Sequence, residues 1–142
     1  MSDTLTVSPI DRLESVLVGN PPAEIEIFHH FFPGGYAREM RVDGPRVVDG
    51  VLRVPVITGR RHKTRHLNIV SRGHLEVVNE LDGARRHFYA GDHFISEPGT
   101  RRAAIIHEPS TWTTVHANED DADDIAEIEE RLVEPHNNPL LK

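Results

Sequence analysis

Gly59-Arg60-Arg61-His62-Lys63-Thr64-Arg65-His66-Leu67-Asn68-Ile69-Val70-Ser71-Arg72-Gly73 is a cationic stretch with two-residue order. In a strand every second side chain shares a face. One face then carries Arg60, His62, Thr64, His66, Asn68 and Val70, and the other carries Arg61, Lys63, Arg65, Leu67 and Ile69. Guanidinium and imidazole groups on one face make a poor apolar core and a reasonable pocket lining. Strand twist turns such groups toward a common point. The stretch predicts a curved strand lining the hollow of a small β structure.

Turn signals recur at short intervals on both sides of it. Upstream, Glu24 to Phe32 is broken by Pro33-Gly34-Gly35, and Tyr36 to Val42 reads as the next strand. Arg46-Val47-Val48 and Val51-Leu52-Arg53 form a hairpin around Asp49-Gly50, a pair suited to tight turns. Pro55 marks an edge or a bulge. Downstream, His74 to Val78 and Arg85 to Tyr89 flank a second turn at Asp82-Gly83. After Ala90-Gly91-Asp92 come short extended segments, His93 to Ser96, Arg101 to His107 and Thr111 to His116. Many short strands without helical period predict an all-β sandwich or barrel.

Helical patterning is confined to the ends. Ser8-Pro9-Ile10-Asp11 has the form of a capped start, Ile10, Leu13 and Leu17 share a face, and Gly19 is placed to close the helix. Asn20-Pro21-Pro22 reads as a rigid linker, with the helix outside the main body or against a neighbouring chain. Beyond Asn118, Ile125, Ile128 and Leu132 fall on one helical face. Asp120, Asp121, Asp123 and Asp124 are expected in its first turn, capped by Asn118 or Asp120 and ended by Pro135. The expected organisation is an N-terminal helix and linker over 1–22, a barrel over 23–118, and an acidic helix and tail over 119–142.

The 142 residues suit one domain. With no cysteine there are no disulfides and no thiolate ligands. The net charge of −7 lies wholly after residue 118, where nine acids face Arg131 and Lys142. That tail disfavours nucleic acid and anionic lipid as partners. It reads as a solvated helix face or a docking surface for a basic partner. No run is long enough for a membrane span, and no signal peptide is evident. The expected location is the cytoplasm of the host cell or a virion.

The histidines before Gly73, followed by Gly91-Asp92, five residues and Pro98-Gly99-Thr100, resemble the two signature motifs of the cupin superfamily. The resemblance covers Gly59 to Arg102. It implies a double-sheet jelly-roll barrel holding a divalent metal through two histidines and a glutamate of the first motif and a histidine of the second. Anchored on Gly73, the positions of the family's two histidines and glutamate fall on Arg60, His62 and His66, and the last histidine falls on Arg102. Two of the four ligand positions are thus guanidinium groups, which cannot coordinate a cation. Tyr36 to Met40, His62 to Ile69, Pro98 to Arg102 and Trp112 to His116 further resemble cupin-like proteins of bacteriophages and prophages, over about Tyr36 to Leu132.

Three readings of the pocket stay open. His62, His66 and His116 suit a metal with an open position. Without metal, Arg60, Arg102, His62, His66 and His116, with Trp112 beside them, suit a small anionic ligand. Alternatively these side chains pair with Asn68, Thr64, Glu97 or each other and fill the barrel. The leading expectation is a non-catalytic phage-type cupin, a binding or virion assembly module, homo-oligomeric and without cofactor. The alternatives are a metal-dependent cupin enzyme acting on a small acid or sugar, and a sponge or sensor for an anionic metabolite. His29 and His30 read as strand surface. His74, His87, His93, His107 and His136 have no spaced partner and read as structural or exposed. Phe28, Phe31, Phe32 and Tyr36 read as a subunit interface or as cover for the barrel's own end.

Overall fold

The computed structural model describes residues 8–17, 23–135 and 138. These form α1 (Pro9–Leu17), β1 (Ile25–Phe32), β2 (Gly35–Val42), β3 (Arg46–Val48), β4 (Val51–Arg53), β5 (Val56–Thr58), β6 (His66–Arg72), β7 (His74–Asn79), β8 (Arg85–Tyr89), β9 (His93–Ser96), β10 (Arg102–Ile106), β11 (Ser110–Ala117) and α2 (Ile125–Leu132). A five-stranded sheet, β1-β2-β11-β6-β9, stands against a four-stranded sheet, β5-β10-β7-β8, and β3-β4 is a separate hairpin. The strand pairings are antiparallel. This is the all-β architecture expected from the turn spacing and the double-sheet jelly roll implied by the motif resemblance, with one helix before it and one after.

Two-residue alternation decides what fills the barrel. Leu75 and Val77 of β7, Phe88 of β8, and Ala104 and Ile106 of β10 turn inward. They meet Val42 and Val70 from the opposite sheet, with Phe94 and Trp112 packed beside them. Each of the larger side chains, the valines, Leu75, Ile106 and Phe88, contributes roughly 1.5–3 kcal/mol on burial, so this layer holds the sheets together. At the other end the inward positions are polar.

The turns follow their chemistry. Asp49 and Gly50 have φ of 50° and 76°, the left-handed pair a two-residue hairpin needs. Pro55 precedes β5, the edge strand of the smaller sheet. Gly73 has φ of +89°, and a Cβ there would stand 2.3 Å from the Pro109 carbonyl oxygen. No side chain fits that approach.

Three expectations are corrected. Gly59 to Val70 is not one strand, because β6 begins only at His66. The main chain before it bonds elsewhere: Gly59 N donates to Arg102 O at 2.9 Å, His62 N to Thr100 O at 2.9 Å, and Lys63 N to Leu132 O at 2.7 Å. An isolated bridge joins His62 to Val133. Arg60 and His62 are therefore carried by a loop pinned between a turn and a helix end. Second, α2 begins at Ile125, and its cap is Asp124, whose side chain accepts from Glu127 N. Asp121 has φ of 51°, which holds 120–123 out of the helix. Asn118 instead donates its side-chain amide to Ala122 O. Third, α2 ends at Leu132, before Pro135, because Val133 leaves to pair with His62.

α1 packs on the outside of the barrel, with Ile10 buried and Ser8 Oγ accepting from Asp11 N at 3.0 Å. The expected closure at Gly19 and the linker Asn20-Pro21-Pro22 lie outside the described residues, as does His136. Among the described residues no helix is long and apolar enough to cross a membrane.

Candidate functional site in the barrel

The polar end of the barrel encloses a cavity of about 480 Å³. Sheet register explains its lining. Tyr36, Arg38 and Met40 of β2 stand opposite His116, Thr114 and Trp112 of β11. Trp112 and Thr114 in turn face Val70 and Asn68 of β6, and His66 faces Ser96 of β9. The smaller sheet adds Ile57, Arg102 and Ala104, and Glu129, Leu132 and Val133 at the end of α2 close the mouth.

Arg60, His62, His66, Arg102, Trp112 and His116 all border this one cavity. Arg60 stands at its rim, where Nε donates to Glu134 O at 2.8 Å. The three imidazoles form a cluster, with ring centroids 4.2 Å apart for His62 and His66, 4.8 Å for His66 and His116, and 6.4 Å for His62 and His116. Burial, then the neighbouring His66, Arg102 and Arg38, lowers His62 to about 4. Burial, then His66, His62 and Arg38, lowers His116 to about 3. Burial also lowers His66. At neutral pH the cluster is uncharged, and the cavity's positive charge is carried by guanidinium groups.

Arg102 is aimed by a chain of hydrogen bonds. Trp112 Nε1 donates to Asn68 Oδ1 at 3.0 Å, and Asn68 Nδ2 donates to Ser96 Oγ at 2.8 Å. Arg102 Nη1 also donates to Ser96 Oγ, and its guanidinium carbon lies 5.2 Å from the Phe94 ring centroid. Among the described residues neither Arg102 nor Arg38 has a carboxylate within ion-pair distance. Of the partners available in sequence, Glu97 pairs with Arg65, Asn68 serves Trp112 and Ser96, and Thr64 Oγ1 is buried without a hydrogen-bond partner.

A divalent metal finds usable chemistry at His62, His66 and His116. Neutral imidazoles suit zinc, iron or nickel, and Nδ1 of both His62 and His116 is buried without a hydrogen-bond partner. His66 Nδ1 lies 3.3 Å from Thr64 O, which leaves its Nε2 as the ligating atom. The fourth family position is Arg102, however, and the barrel nitrogens are not gathered as closely as another trio. Among the described residues, His74, His87 and His107 are the group whose ligating atoms all lie within 4.8 Å of one another.

That second trio corrects the sequence reading, which gave those histidines no partner. Their spacing in sequence is irregular, and only the pairing of β7 with β8 and β10 brings them together. Arg38 was also missed as a pocket residue, although alternation through Tyr36, Arg38 and Met40 puts all three on one face. Tyr36 is buried with Ile128 and Leu132 of α2, so it covers the barrel's own end. Its hydroxyl meets His29 Nδ1 at 2.6 Å, while Phe31 and Phe32 stay exposed.

Two facing sheets, a site at one end of the hollow and helices outside define a cupin-type double-stranded β-helix. Solved structures share this fold. A cupin superfamily protein from Desulfitobacterium hafniense is 6% identical, with 72% of this chain and 85% of that one covered at a TM-score of 0.53. A conserved protein with a double-stranded β-helix domain from Klebsiella pneumoniae is 18% identical over 95% of this chain and 96% of that one, at 0.52. The DMSP lyase DddQ from Ruegeria pomeroyi is 10% identical over 70% of this chain, at 0.53, and this chain spans about half (49%) of it. No family model and no curated protein sequence matches the chain.

Proposed function

We propose that this chain is a non-catalytic binding module whose barrel holds a small organic anion. The observation that carries the reading is the pair of guanidinium groups, Arg38 and Arg102, which face the cavity with no carboxylate within 4 Å among the described residues, although Glu129 stands in the lining at the mouth. Forked hydrogen bonds from arginine suit a carboxylate or a phosphate. Met40, Ile57, Ala104 and Trp112 offer apolar surface for the body of the ligand. The neutral histidines supply donors or acceptors without adding charge. The likeness of the motifs to bacteriophage and prophage cupin-like proteins is the ground for reading the module as a virion or assembly accessory that works as a homo-oligomer.

The test is a thermal-unfolding screen with short carboxylates and sugar phosphates, followed by fluorescence titration of Trp112, the only tryptophan. The expected result is a stabilising anion whose effect disappears in Arg102→Met. An Arg102→Met protein that responds as the wild type does overturns the reading.

A second reading is a metal-dependent enzyme acting on a small acid or sugar, with His62, His66 and His116 holding the metal. The partnerless Nδ1 atoms of His62 and His116 favour it. The metal would supply Lewis-acid chemistry there, and Arg38 and Arg102 would hold the substrate's carboxylate. Metal analysis of protein purified without added metal separates the readings, since the enzyme requires a stoichiometric ion that is lost on His62→Ala/His66→Ala.

A further inference from the structure

We propose that His74, His87 and His107 form a divalent-metal site on the outer face of the smaller sheet, suited to zinc or a comparable borderline metal. This site is separate from the barrel. On β7, Leu75 and Val77 point into the core, so His74 and Glu76 point away from it. On β8, Phe88 is the core residue, which turns His87 and Tyr89 outward. His107 follows β10, and its main-chain N donates to His74 O at 3.0 Å. Three strands thus deliver one imidazole each to the same patch, with the apolar core between this patch and the cavity.

The geometry is that of a chelate waiting to close. His74 Nε2 and His87 Nδ1 stand 2.8 Å apart. Two nitrogens on tetrahedral zinc, each about 2.0–2.1 Å from the ion, stand about 3.3 Å apart. Exchanging the shared proton for a metal therefore takes only a small ring rotation. The centroid of His107 lies 4.7 Å from that of His74 and 5.7 Å from that of His87. Tyr89 stacks on His74 with centroids 4.4 Å apart and limits its rotation.

Glu76 orients the set. Its Oε1 accepts from His107 Nε2 at 3.0 Å, which leaves Nδ1 as the His107 nitrogen available for a metal. It also lies 3.9 Å from His87 Nε2 and pairs with Arg85 at 3.6 Å. A carboxylate on the far side of a ligating imidazole fixes the ring and raises its basicity. His87 and His107 keep 48% and 35% of their side-chain surface exposed. An ion reaches them from solvent without opening the fold, and water completes its coordination.

The experiment titrates zinc chloride into the metal-stripped full-length protein by calorimetry, with imidazole NMR signals followed in parallel. The expected result is zinc uptake that shifts the ring signals of His74, His87 and His107. His87→Ala and His107→Ala should each weaken it at least about tenfold, and Glu76→Gln about 10–100-fold. Each variant's thermal unfolding confirms that it is folded, and His87, being half exposed, removes no core contact. His62→Gln should leave this uptake intact, so a metal in the barrel and a metal on the sheet are read independently. Wild-type zinc affinity retained in both His87→Ala and His107→Ala, or unmoved ring signals at saturating zinc, overturns the proposal.

Discussion

Arg101 Nη1 donates to Asp11 Oδ1 at 2.5 Å across 90 residues of sequence. The same guanidinium reaches Glu14 Oε1 at 2.7 Å through Nη2, Glu80 Oε2 at 3.4 Å, and Gly59 O at 2.9 Å through Nε. Burial works against its charge, and Asp11 and Glu14 more than offset that, so the guanidinium is held above its usual value. One side chain thus ties α1 to the turn before β10 and to the loop before β6.

Removing one member of such a buried set leaves charges without compensation, at a cost of about 3–5 kcal/mol. Arg101→Ala should lose stability on that scale in urea unfolding, and the amides of α1 should exchange early. Arg101→Lys should recover only part, because an ammonium cannot span the same forked geometry.

Its neighbour Arg102 points the other way, into the cavity. A hydrogen bond to a charged group contributes about 1.5–3 kcal/mol. Arg102→Met and Arg38→Met should therefore each weaken anion binding about tenfold or more, as read by Trp112 fluorescence. Ser96→Ala should weaken it less, since it loosens the aim of Arg102 and leaves its charge.

The histidine cluster makes the metal-stripped protein acid-sensitive in a defined window. In the unfolded chain imidazoles titrate near 6.5, whereas the fold lowers His62 to about 4 and His116 to about 3. Between those values the unfolded chain binds protons that the folded chain refuses. Stability should be complete above about pH 6.5 and decline by a few kcal/mol as pH falls toward 4. Urea midpoints at pH 7.5, 6 and 5 check this, and a His62→Gln/His116→Gln protein should show a shallower decline.

Gly73 gives a local test of the β6–β7 junction. A Cβ there would meet the Pro109 carbonyl oxygen at 2.3 Å and Ser110 Cα at 2.8 Å, with φ at +89°. Gly73→Ala should cost more than about 1 kcal/mol, measured by chemical unfolding. Gly83→Ala, where φ is +66° and nothing lies within 4 Å, should cost less.

Much of the architecture was legible because turns are written locally. Asp49-Gly50, Asp82-Gly83 and Gly91-Asp92 each fall at a turn between strands, and His66, Asn68 and Val70 do share the inner face. Strand parity failed for Arg60 and His62, which sit in a loop whose main chain bonds to Thr100 through His62 and to the end of α2 through Arg61 and Lys63, partners remote in sequence. Those two residues reach the cavity by a route that alternation does not describe. The second histidine trio was illegible for a similar reason. Nothing near His74, His87 or His107 in the chain announces that three strands will meet there.

The closure over the mouth is built from groups that every residue type except proline carries. Lys63 N donates to Leu132 O, Glu134 N donates to Arg61 O, and His62 bridges to Val133. The solvent-facing side of α2 is therefore free to drift in sequence or to accept engineered substitutions while the roof stays seated. A proline at Lys63 or at Glu134 would instead delete one of these donors, and His62 would be held to the helix end by one bond fewer while keeping its bonds to Gly99 and Thr100.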